Sequence, residues 1–179
     1  MVEGYKPSSF YFKEDTGETV ARERKIKMDN RLYVAYGSNL NVEQMKYRCP
    51  TAKVYGKGML QGYRLLFKGS LGNAYLTIEQ KIGEEVPVII WGIGPKDELS
   101  LDRYEGYPSF YYKENLEVEL ETGEAVEAMV YIMTSLRTRL SLPSKAYYEA
   151  VKEGYESFGF DIKFIEEALK LSKGSGFHG

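Results

Sequence analysis

The stretch of sequence that decides the fold class is Glu117-Val118-Glu119-Leu120-Glu121-Thr122-Gly123-Glu124-Ala125-Val126-Glu127-Ala128-Met129-Val130. Charged and apolar side chains alternate with period two on both sides of Thr122-Gly123, which is typical of strands with one face in a core. A Gly-containing pair between two such runs predicts a β-hairpin. The sheet that contains these two strands is therefore antiparallel at this point.

Further strand-like segments surround this hairpin, with few helices between them. Glycine and charged turns separate the predicted strands, which span 32–36, 53–59, 63–67, 74–79, 86–93, 111–120 and 125–133. Helices are predicted at 41–48, 95–105, 143–157 and 161–172. This order argues against a doubly wound parallel sheet. It predicts an α+β domain, a small antiparallel barrel-like sheet with flanking helices.

Residues 1–30 differ in composition from the rest of the chain. Between 13 and 30 charged side chains dominate, and few apolar residues are available to anchor the segment to a core. Such a composition predicts a charged N-terminal extension, 1–30, joined to one domain over 31–179. Within the extension, Phe10-Tyr11-Phe12 is a candidate for a short strand.

The bulk composition argues against several classes of protein. A formal net charge of −2 at pH 7, with no block of Lys or Arg, gives no electrostatic reason to expect nucleic acid as a partner. The longest apolar run, 86–93, is far shorter than a membrane span. The N-terminus lacks the apolar core of a secretory signal. We therefore predict a cytoplasmic protein without a membrane partner.

The sequence offers few of the residues that most often bind metals or act as nucleophiles. It contains one cysteine, Cys49, and one histidine, His178. These counts exclude an internal disulfide and argue against a Cys/His metal site or a Ser-His-Asp triad. Any chemistry must then fall to carboxylates, hydroxyls, lysines and backbone amides.

The segment Tyr36-Gly37-Ser38-Asn39-Leu40 is a strand end that leads into a glycine-containing turn. Gly37 permits backbone conformations closed to other residues, so several amide N–H groups can converge on one point. Ser38 and Asn39 add side-chain donors. Such a loop suits a carboxylate or a developing oxyanion, although an ordinary structural turn has the same composition.

Glu105 is the carboxylate in the more unusual position. A helix that begins at Pro95 is expected to end there, with Gly106 as its left-handed cap. The negative end of the helix dipole, and burial among the neighbouring tyrosines 104, 107, 111 and 112, would both raise the pKa of Glu105. A glutamate tuned toward neutrality suits general acid–base work. The alternative is an exposed glutamate at a fraying helix end.

Asp102 is the competing carboxylate on the same helix. We expect it to cap the helix or to pair with Arg103 or Lys96 rather than to take part in chemistry. Two tyrosines are further candidates, Tyr131 on a late strand and Tyr147 at a helix start. Tyrosines in such places are more often core residues with one satisfied hydroxyl.

Five motifs occur along the chain in a recognisable order: Tyr36-Gly37-Ser38-Asn39-Leu40, Arg48-Cys49-Pro50, Gly62-Tyr63-Arg64-Leu65, Val88-Ile89-Ile90-Trp91-Gly92 and Leu101-Asp102-Arg103-Tyr104-Glu105-Gly106-Tyr107-Pro108. With them, the chain from about Arg31 onward resembles the γ-glutamylcyclotransferase family, in its bacterial form. No single motif is decisive, but five in this order are specific.

The resemblance implies a small antiparallel barrel and an active site where the Tyr-Gly-Ser-Asn-Leu loop meets a catalytic glutamate, here Glu105. It implies that substrate is bound by the loop residues Tyr36, Gly37, Ser38, Asn39 and Leu40, and by Tyr131 and Tyr147. The implied substrate is a small γ-glutamyl amide, whose α-amine attacks its own side-chain carbonyl and yields 5-oxoproline and a free amine. The implied reaction needs no metal, nucleotide or redox cofactor.

Two alternative functions and one structural question stay open at this stage. One alternative is a non-catalytic binding or regulatory module on the same fold. The other is a cyclotransferase that acts on γ-glutamyl side-chain amines, such as the ε-amine of lysine. The extension 1–30 departs from the family pattern, and it is a candidate for covering the pocket or for mediating assembly, for example as a homodimer.

Overall fold

The strands of the computed structural model, which describes residues 31–136 and 139–174, form a closed barrel in the order β1-β3-β2-β4-β5. Their bounds are β1 Arg31–Ala35, β2 Lys53–Ser70, β3 Asn73–Ile93, β4 Tyr111–Leu120 and β5 Ala125–Met133. Neighbouring strands are antiparallel except for β1 and β5, which pair in parallel and close the barrel. The predicted α+β fold with a small barrel-like sheet is confirmed. The candidate strand Phe10-Tyr11-Phe12 lies outside the described residues.

The hairpin that decided the fold class forms β4 and β5, with the bounds that the alternation predicted. Gly123 occupies the turn with φ 83°, and its amide donates to the Leu120 carbonyl over 2.8 Å. Only glycine adopts this left-handed conformation without steric cost. The turn therefore fixes the register in which Glu117 faces Glu127 and Val118 faces Val126.

Strands β2 and β3 are longer than the sequence predicts. The segments 53–59 and 63–67 merge into β2, and the segments 74–79 and 86–93 merge into β3. The breaks predicted at 60–62 and 80–85 are irregularities within one ladder, because the register shifts there, between Gln61 and Tyr63. Glycines absorb the irregularity: Gly62 has φ 78° and Gly83 has φ 83°. The pairing then resumes on the far side.

Four α-helices flank the barrel: α1 Val42–Arg48, α2 Pro95–Glu105, α3 Lys145–Ser157 and α4 Lys163–Gly174. Two of them begin with a side-chain N-cap, since the side chains of Asn41 and Ser144 accept hydrogen bonds from the amides of Gln44 and Tyr147. Gly106 ends α2 with φ 63°, the left-handed cap expected there. None of the helices described is long and apolar enough to cross a membrane.

Helix α3 packs directly on the short 3₁₀ turn Ser38–Leu40 that follows β1. Gly154 makes this approach possible, because a Cβ at that position would lie 2.7 Å from Leu40 Cβ and 2.9 Å from the Asn41 amide nitrogen. Leu40 itself is fully buried. The helix thus holds the turn from behind, and a side chain at residue 154 would push the two apart.

We predict that a shortened chain beginning at Asn30 folds, and we propose 31–179 as the domain. The first strand, β1, starts at Arg31, and its partners β3 and β5 lie wholly within the described part of the chain. Thermal unfolding of the shortened and full chains checks this, with melting temperatures within a few degrees of each other as the expected result. An insoluble shortened chain would place the boundary elsewhere.

We predict that Gly154→Ala destabilises the fold by about 2 kcal/mol or more, because the methyl group meets the backbone of the 3₁₀ turn rather than a flexible side chain. Urea unfolding measures the loss. Gly92→Ala is the matched control, since its methyl would meet no atom closer than 3.8 Å. Equal stability of the two variants would contradict the tight packing of α3 on the turn.

Candidate active site

The predicted site residues converge on a cavity with two adjoining compartments, between the 3₁₀ turn and the end of α2. The inner compartment, of about 30 Å³, is lined by Tyr33, Tyr36, Gly37, Ser38, Asn39, Leu76, Glu105, Tyr111, Tyr131 and Tyr147. The outer compartment, of about 250 Å³, is lined by Ser38, Tyr75, Tyr104, Glu105, Gly106, Phe110, Tyr111 and Tyr147. Glu105 lines both and therefore lies at their junction.

A larger open groove lies elsewhere on the molecule. It measures about 790 Å³ and runs between α4 and the irregular part of β2 and β3, with Arg64 and Phe164 among its walls. None of the predicted site residues lines it. Its size reflects a shallow gap between helix and sheet, so the smaller double cavity is the better candidate for chemistry.

Glu105 is the last residue of α2, and its half-buried side chain reaches the cavity. Burial raises the pKa of this carboxyl group to about 7, and the charge of Arg48 and a hydrogen bond from Asn39 oppose the rise. The raised pKa predicted from the sequence is confirmed. The predicted neighbours are only partly right, because Tyr111 is buried beside the cavity while Tyr107 and Tyr112 are exposed.

Asn39 connects the loop to the carboxylate. Its Nδ2 donates to Glu105 Oε1 over 2.9 Å and to the Tyr33 hydroxyl over 2.7 Å. Its Oδ1 accepts from Arg48 Nη1 over 2.6 Å, and its backbone carbonyl accepts from Trp91 Nε1 over 3.1 Å. Because Arg48 can only donate, this network fixes the amide with its NH₂ group toward Glu105.

Arg48 is a functional residue that sequence reasoning missed. Besides Asn39, it donates to Gln44 Oε1 over 2.6 Å and to Ser38 Oγ over 3.4 Å. Its guanidinium lies 3.6 Å from the centre of the Tyr104 ring, in a cation–π contact. The motif Arg48-Cys49-Pro50 contains it, but nothing in that motif indicates which way the side chain turns.

The loop that carries Asn39 is shaped by close approach rather than by a left-handed glycine. Gly37 has φ −121° and ψ −136°, so it does not lie in the left-handed region that favours glycine. A Cβ at Gly37 would lie 3.3 Å from the Tyr147 hydroxyl and 3.6 Å from Leu76 Cβ. Glycine thus lets Tyr147 reach the loop, where its hydroxyl accepts from the Leu76 amide over 3.2 Å.

Ser38 is buried at the boundary of the two compartments. Its hydroxyl shares a hydrogen bond of 3.2 Å with the Tyr104 hydroxyl. The backbone amides of Leu40 and Asn41 close the 3₁₀ turn by donating to the carbonyls of Gly37 and Ser38. Within residues 31–136 and 139–174, the amides of Ser38 and Asn39 make no hydrogen bond, so they remain available to a bound anion or carbonyl.

The other predicted binding residues occupy different places. Tyr36 lines the inner compartment, and its hydroxyl donates to the Tyr131 carbonyl over 2.6 Å. Tyr131 lines the inner compartment as well, and Tyr147 lines both. Leu40 is not among the residues that line either compartment, because its side chain points into the core below the turn.

Asp102 does not pair with Arg103 or Lys96 as expected. Its Oδ1 instead accepts from the Tyr131 hydroxyl over 2.6 Å and from Lys113 Nζ over 2.7 Å. Sequence reasoning could not anticipate these partners, since the barrel brings β4 and β5 alongside α2. Asp102 lines neither compartment, which separates it from Glu105.

Tyr104 and Tyr111, expected beside Glu105, do line the cavity, whereas no signal in the sequence marks four further side chains that line it: Tyr33, Tyr75, Leu76 and Phe110. They come from strands and loops that meet only in the folded barrel. No group of three or more His, Cys, Asp or Glu side chains suited to a metal ion occurs within 31–136 and 139–174.

We predict that Glu105→Gln stabilises the fold at neutral and alkaline pH. The folded-state pKa of about 7 lies above the usual 4.5, so the unfolded chain binds fewer protons and stability falls as the pH rises between these values. Glutamine cannot ionise, so the variant does not lose this stability as the pH rises. Its advantage should be absent below pH 4.5, grow up to about pH 7 and then stay constant, on the order of 1–3 kcal/mol.

Urea unfolding across this pH range measures the effect. Glu119→Gln is the control. It removes one negative charge, as Glu105→Gln does, but from an exposed carboxylate on β4. A constant difference between Glu105→Gln and the unchanged chain from pH 4.5 to pH 8 would contradict the raised pKa of Glu105.

Comparison with known proteins identifies the family of the chain. The family model described as gamma-glutamyl cyclotransferase, AIG2-like, matches residues 33–150. The gamma-glutamylcyclotransferase of Homo sapiens is 30% identical over 156 residues, which cover 83% of this chain and 81% of that protein. The match spans β1 to the middle of α3 and includes the loop, Arg48, Glu105, Tyr131 and Tyr147.

Solved structures resemble the fold over most of its length. One, named gamma-glutamyl cyclotransferase, has a TM-score of 0.70 at 28% identity and covers 78% of this chain and 86% of its own. Another, a Homo sapiens protein described as uncharacterized, has a TM-score of 0.71 at 28% identity and covers 84% of this chain and 92% of its own. By the match over 33–150 and by these relatives, the chain belongs to the gamma-glutamyl cyclotransferase, AIG2-like, family of cyclotransferase enzymes.

Proposed function

We propose that this enzyme cyclises the γ-glutamyl group of a small γ-glutamyl amide to 5-oxoproline and releases the amine, with Glu105 as the acid–base residue. The observation that carries the proposal is the Glu105 carboxyl group, which has a pKa of about 7, accepts from Asn39 and lies at the junction of two compartments. A group that titrates near neutral pH is suited to taking up a proton and returning it.

The reaction joins two parts of one substrate. The α-amine of the glutamyl group attacks its own side-chain carbonyl carbon, a new C–N bond closes a five-membered ring, and the amide C–N bond to the leaving amine breaks. Ionised Glu105 takes a proton from the α-ammonium group, which makes the nitrogen nucleophilic, and then gives a proton to the departing nitrogen. The protein needs to hold the folded conformer of the substrate and to manage these protons.

We propose that the loop holds the glutamyl head. The unpartnered amides of Ser38 and Asn39 are suited to its carboxylate or to the oxyanion that develops on the carbonyl. Tyr36, Tyr131 and Tyr147 would form the wall around it, since each lines the inner compartment. In this proposal Gly37 allows Tyr147 to approach, and Leu40 acts from the core by anchoring the turn.

A purely binding module is the weaker alternative. A binder gains nothing from a carboxyl group whose ionisation is penalised by burial, whereas an acid–base residue needs such a group. The formal net charge of −2 and the small cavity favour a small-molecule substrate over nucleic acid. A cytoplasmic location, a likeness to the bacterial members and a homodimer remain predictions.

We predict that Glu105→Gln lowers 5-oxoproline release from γ-glutamylalanine by about 10²–10⁴-fold, because the amide keeps the size and the contact with Asn39 but cannot carry a proton. In the unchanged enzyme, kcat/KM should rise with pH and level off above an apparent pKa near 7, since Glu105 must be ionised to act as a base. Chromatographic detection of 5-oxoproline between pH 5 and pH 9 measures both.

Asp102→Asn is the matched control on the same helix. It removes a carboxylate that contacts Tyr131 and Lys113 but lines neither compartment, so it should affect stability more than the chemical step. If Asp102→Asn abolished turnover at unchanged melting temperature, or if folded Glu105→Gln kept a tenth of normal activity, the assignment of Glu105 would be wrong.

A further inference from the structure

The outer compartment is walled by aromatic rings. The Tyr75 ring lies edge-on to its neighbours, with centroid distances of 5.9 Å to Phe110 and 5.0 Å to Tyr147. Phe110 stacks on Tyr111 at 5.2 Å. These rings form one continuous surface from β3 to the start of β4, opposite the end of α2. A cavity wall of this kind suits a flat apolar group.

Charged partners for a ligand are scarce in the outer compartment. Among its lining residues in the described part of the chain, Glu105 is the only charged side chain. The nearby cation, Arg48, already donates to Asn39, Ser38 and Gln44 and lies flat on the Tyr104 ring. A carboxylate on a ligand would therefore lose hydration there without gaining an opposite charge from these residues, and an ammonium group would find Glu105 alone as its counter-charge.

The position of Glu105 decides which part of a substrate meets this wall. Suppose that the loop holds the glutamyl head and that Glu105 gives a proton to the nitrogen of the bond that breaks. The head then occupies the inner compartment and its mouth. The amine beyond that bond must then extend into the outer compartment, since Glu105, Ser38, Tyr111 and Tyr147 are the residues the two compartments share.

We propose that the leaving amine carries an aromatic ring, and that Tyr75 and Phe110 select it. This inference rests on the proposed function. The ring would leave water for the aromatic wall and pack edge-on or offset against Tyr75 and Phe110, both of which are half-buried without it. An aromatic amino acid and an arylalkyl amine share this ring and differ in one carboxylate.

Turnover of a matched series of substrates tests the proposal. γ-Glutamylphenylalanine and γ-glutamylphenethylamine carry the ring, and γ-glutamylalanine lacks it. In the leaving group, γ-glutamylglutamate adds a second carboxylate, and ε-(γ-glutamyl)lysine adds an α-ammonium group to the carboxylate. We expect kcat/KM about tenfold higher for both ring compounds than for the alanine compound, with the charged compounds no better than alanine. Whichever of the two ring compounds has the higher kcat/KM shows whether the leaving group is an aromatic amino acid or a simple arylalkyl amine. A preference for a charged compound would overturn the proposal.

Substitutions of the aromatic wall residues test whether these residues cause the preference for a ring. Tyr75→Leu and Phe110→Leu keep apolar volume but remove the ring, so each should reduce the ratio of kcat/KM for the phenylalanine and alanine compounds severalfold. Leucine is chosen at residue 110 because the Phe110 side chain packs beside Gly106. Tyr112→Leu is the control, an exposed tyrosine outside both compartments, and should leave the ratio unchanged. An unchanged ratio in both wall variants would overturn the proposal.

A binding measurement separates failure of this inference from failure of the proposed function. If none of the five compounds yields 5-oxoproline, the proposed function is wrong. Calorimetric binding of the same compounds to Glu105→Gln then decides the inference by itself. Tighter binding of the ring compounds, lost in Tyr75→Leu, would support an aromatic-binding compartment. Equal binding of the alanine and phenylalanine compounds would refute it.

Discussion

The hydrogen bond from Asn39 Nδ2 to Glu105 Oε1 joins the two parts of the chain that make the site. Asn39 lies in the turn after β1, which pairs with β3 on one side and β5 on the other. Glu105 lies at the end of α2, which follows β3 directly. The bond can form only when the barrel has closed, so the geometry of the candidate site depends on the whole sheet and not on either motif alone.

The surroundings of Glu105 balance two opposed effects. Burial disfavours the ionised carboxylate, while the Arg48 charge and the Asn39 hydrogen bond favour it, and the resulting pKa is about 7. A stronger ion pair would leave a carboxylate too acidic to accept a proton readily, and a dry apolar pocket would leave it permanently protonated. The charge of Arg48 lowers the pKa of Glu105 only partly, because its N–H groups donate to Asn39 Oδ1, Gln44 Oε1 and Ser38 Oγ.

The features that could be predicted from the sequence are those that local chemistry determines. The Thr122-Gly123 hairpin, the Asn41 and Ser144 caps and the position of Glu105 before Gly106 each depend on a few neighbouring residues. The merging of strand segments into β2 and β3, the contact of Arg48 with Asn39 and the pairing of Asp102 with Lys113 depend on how separate elements pack in the folded barrel. Periodicity carries no information on such contacts, since it fixes which face a side chain takes and not what it meets.

The tyrosines around the cavity are consistent with the proposal that proton chemistry falls to one carboxyl group. Burial raises the pKa of Tyr33, Tyr36 and Tyr111 well above the usual value of 10, and it raises the pKa of Tyr131 and Tyr147 as well. Their hydroxyls therefore stay protonated at neutral pH and serve as hydrogen-bonding groups that hold the wall together. Tyr75 and Tyr104 also line the outer compartment, and apart from the tyrosines and Glu105 the lining residues are serine, asparagine, glycine, leucine and phenylalanine. Among these described residues, Glu105 is thus the one carboxyl group, and its burial in the tyrosine-lined cavity raises its pKa to about 7.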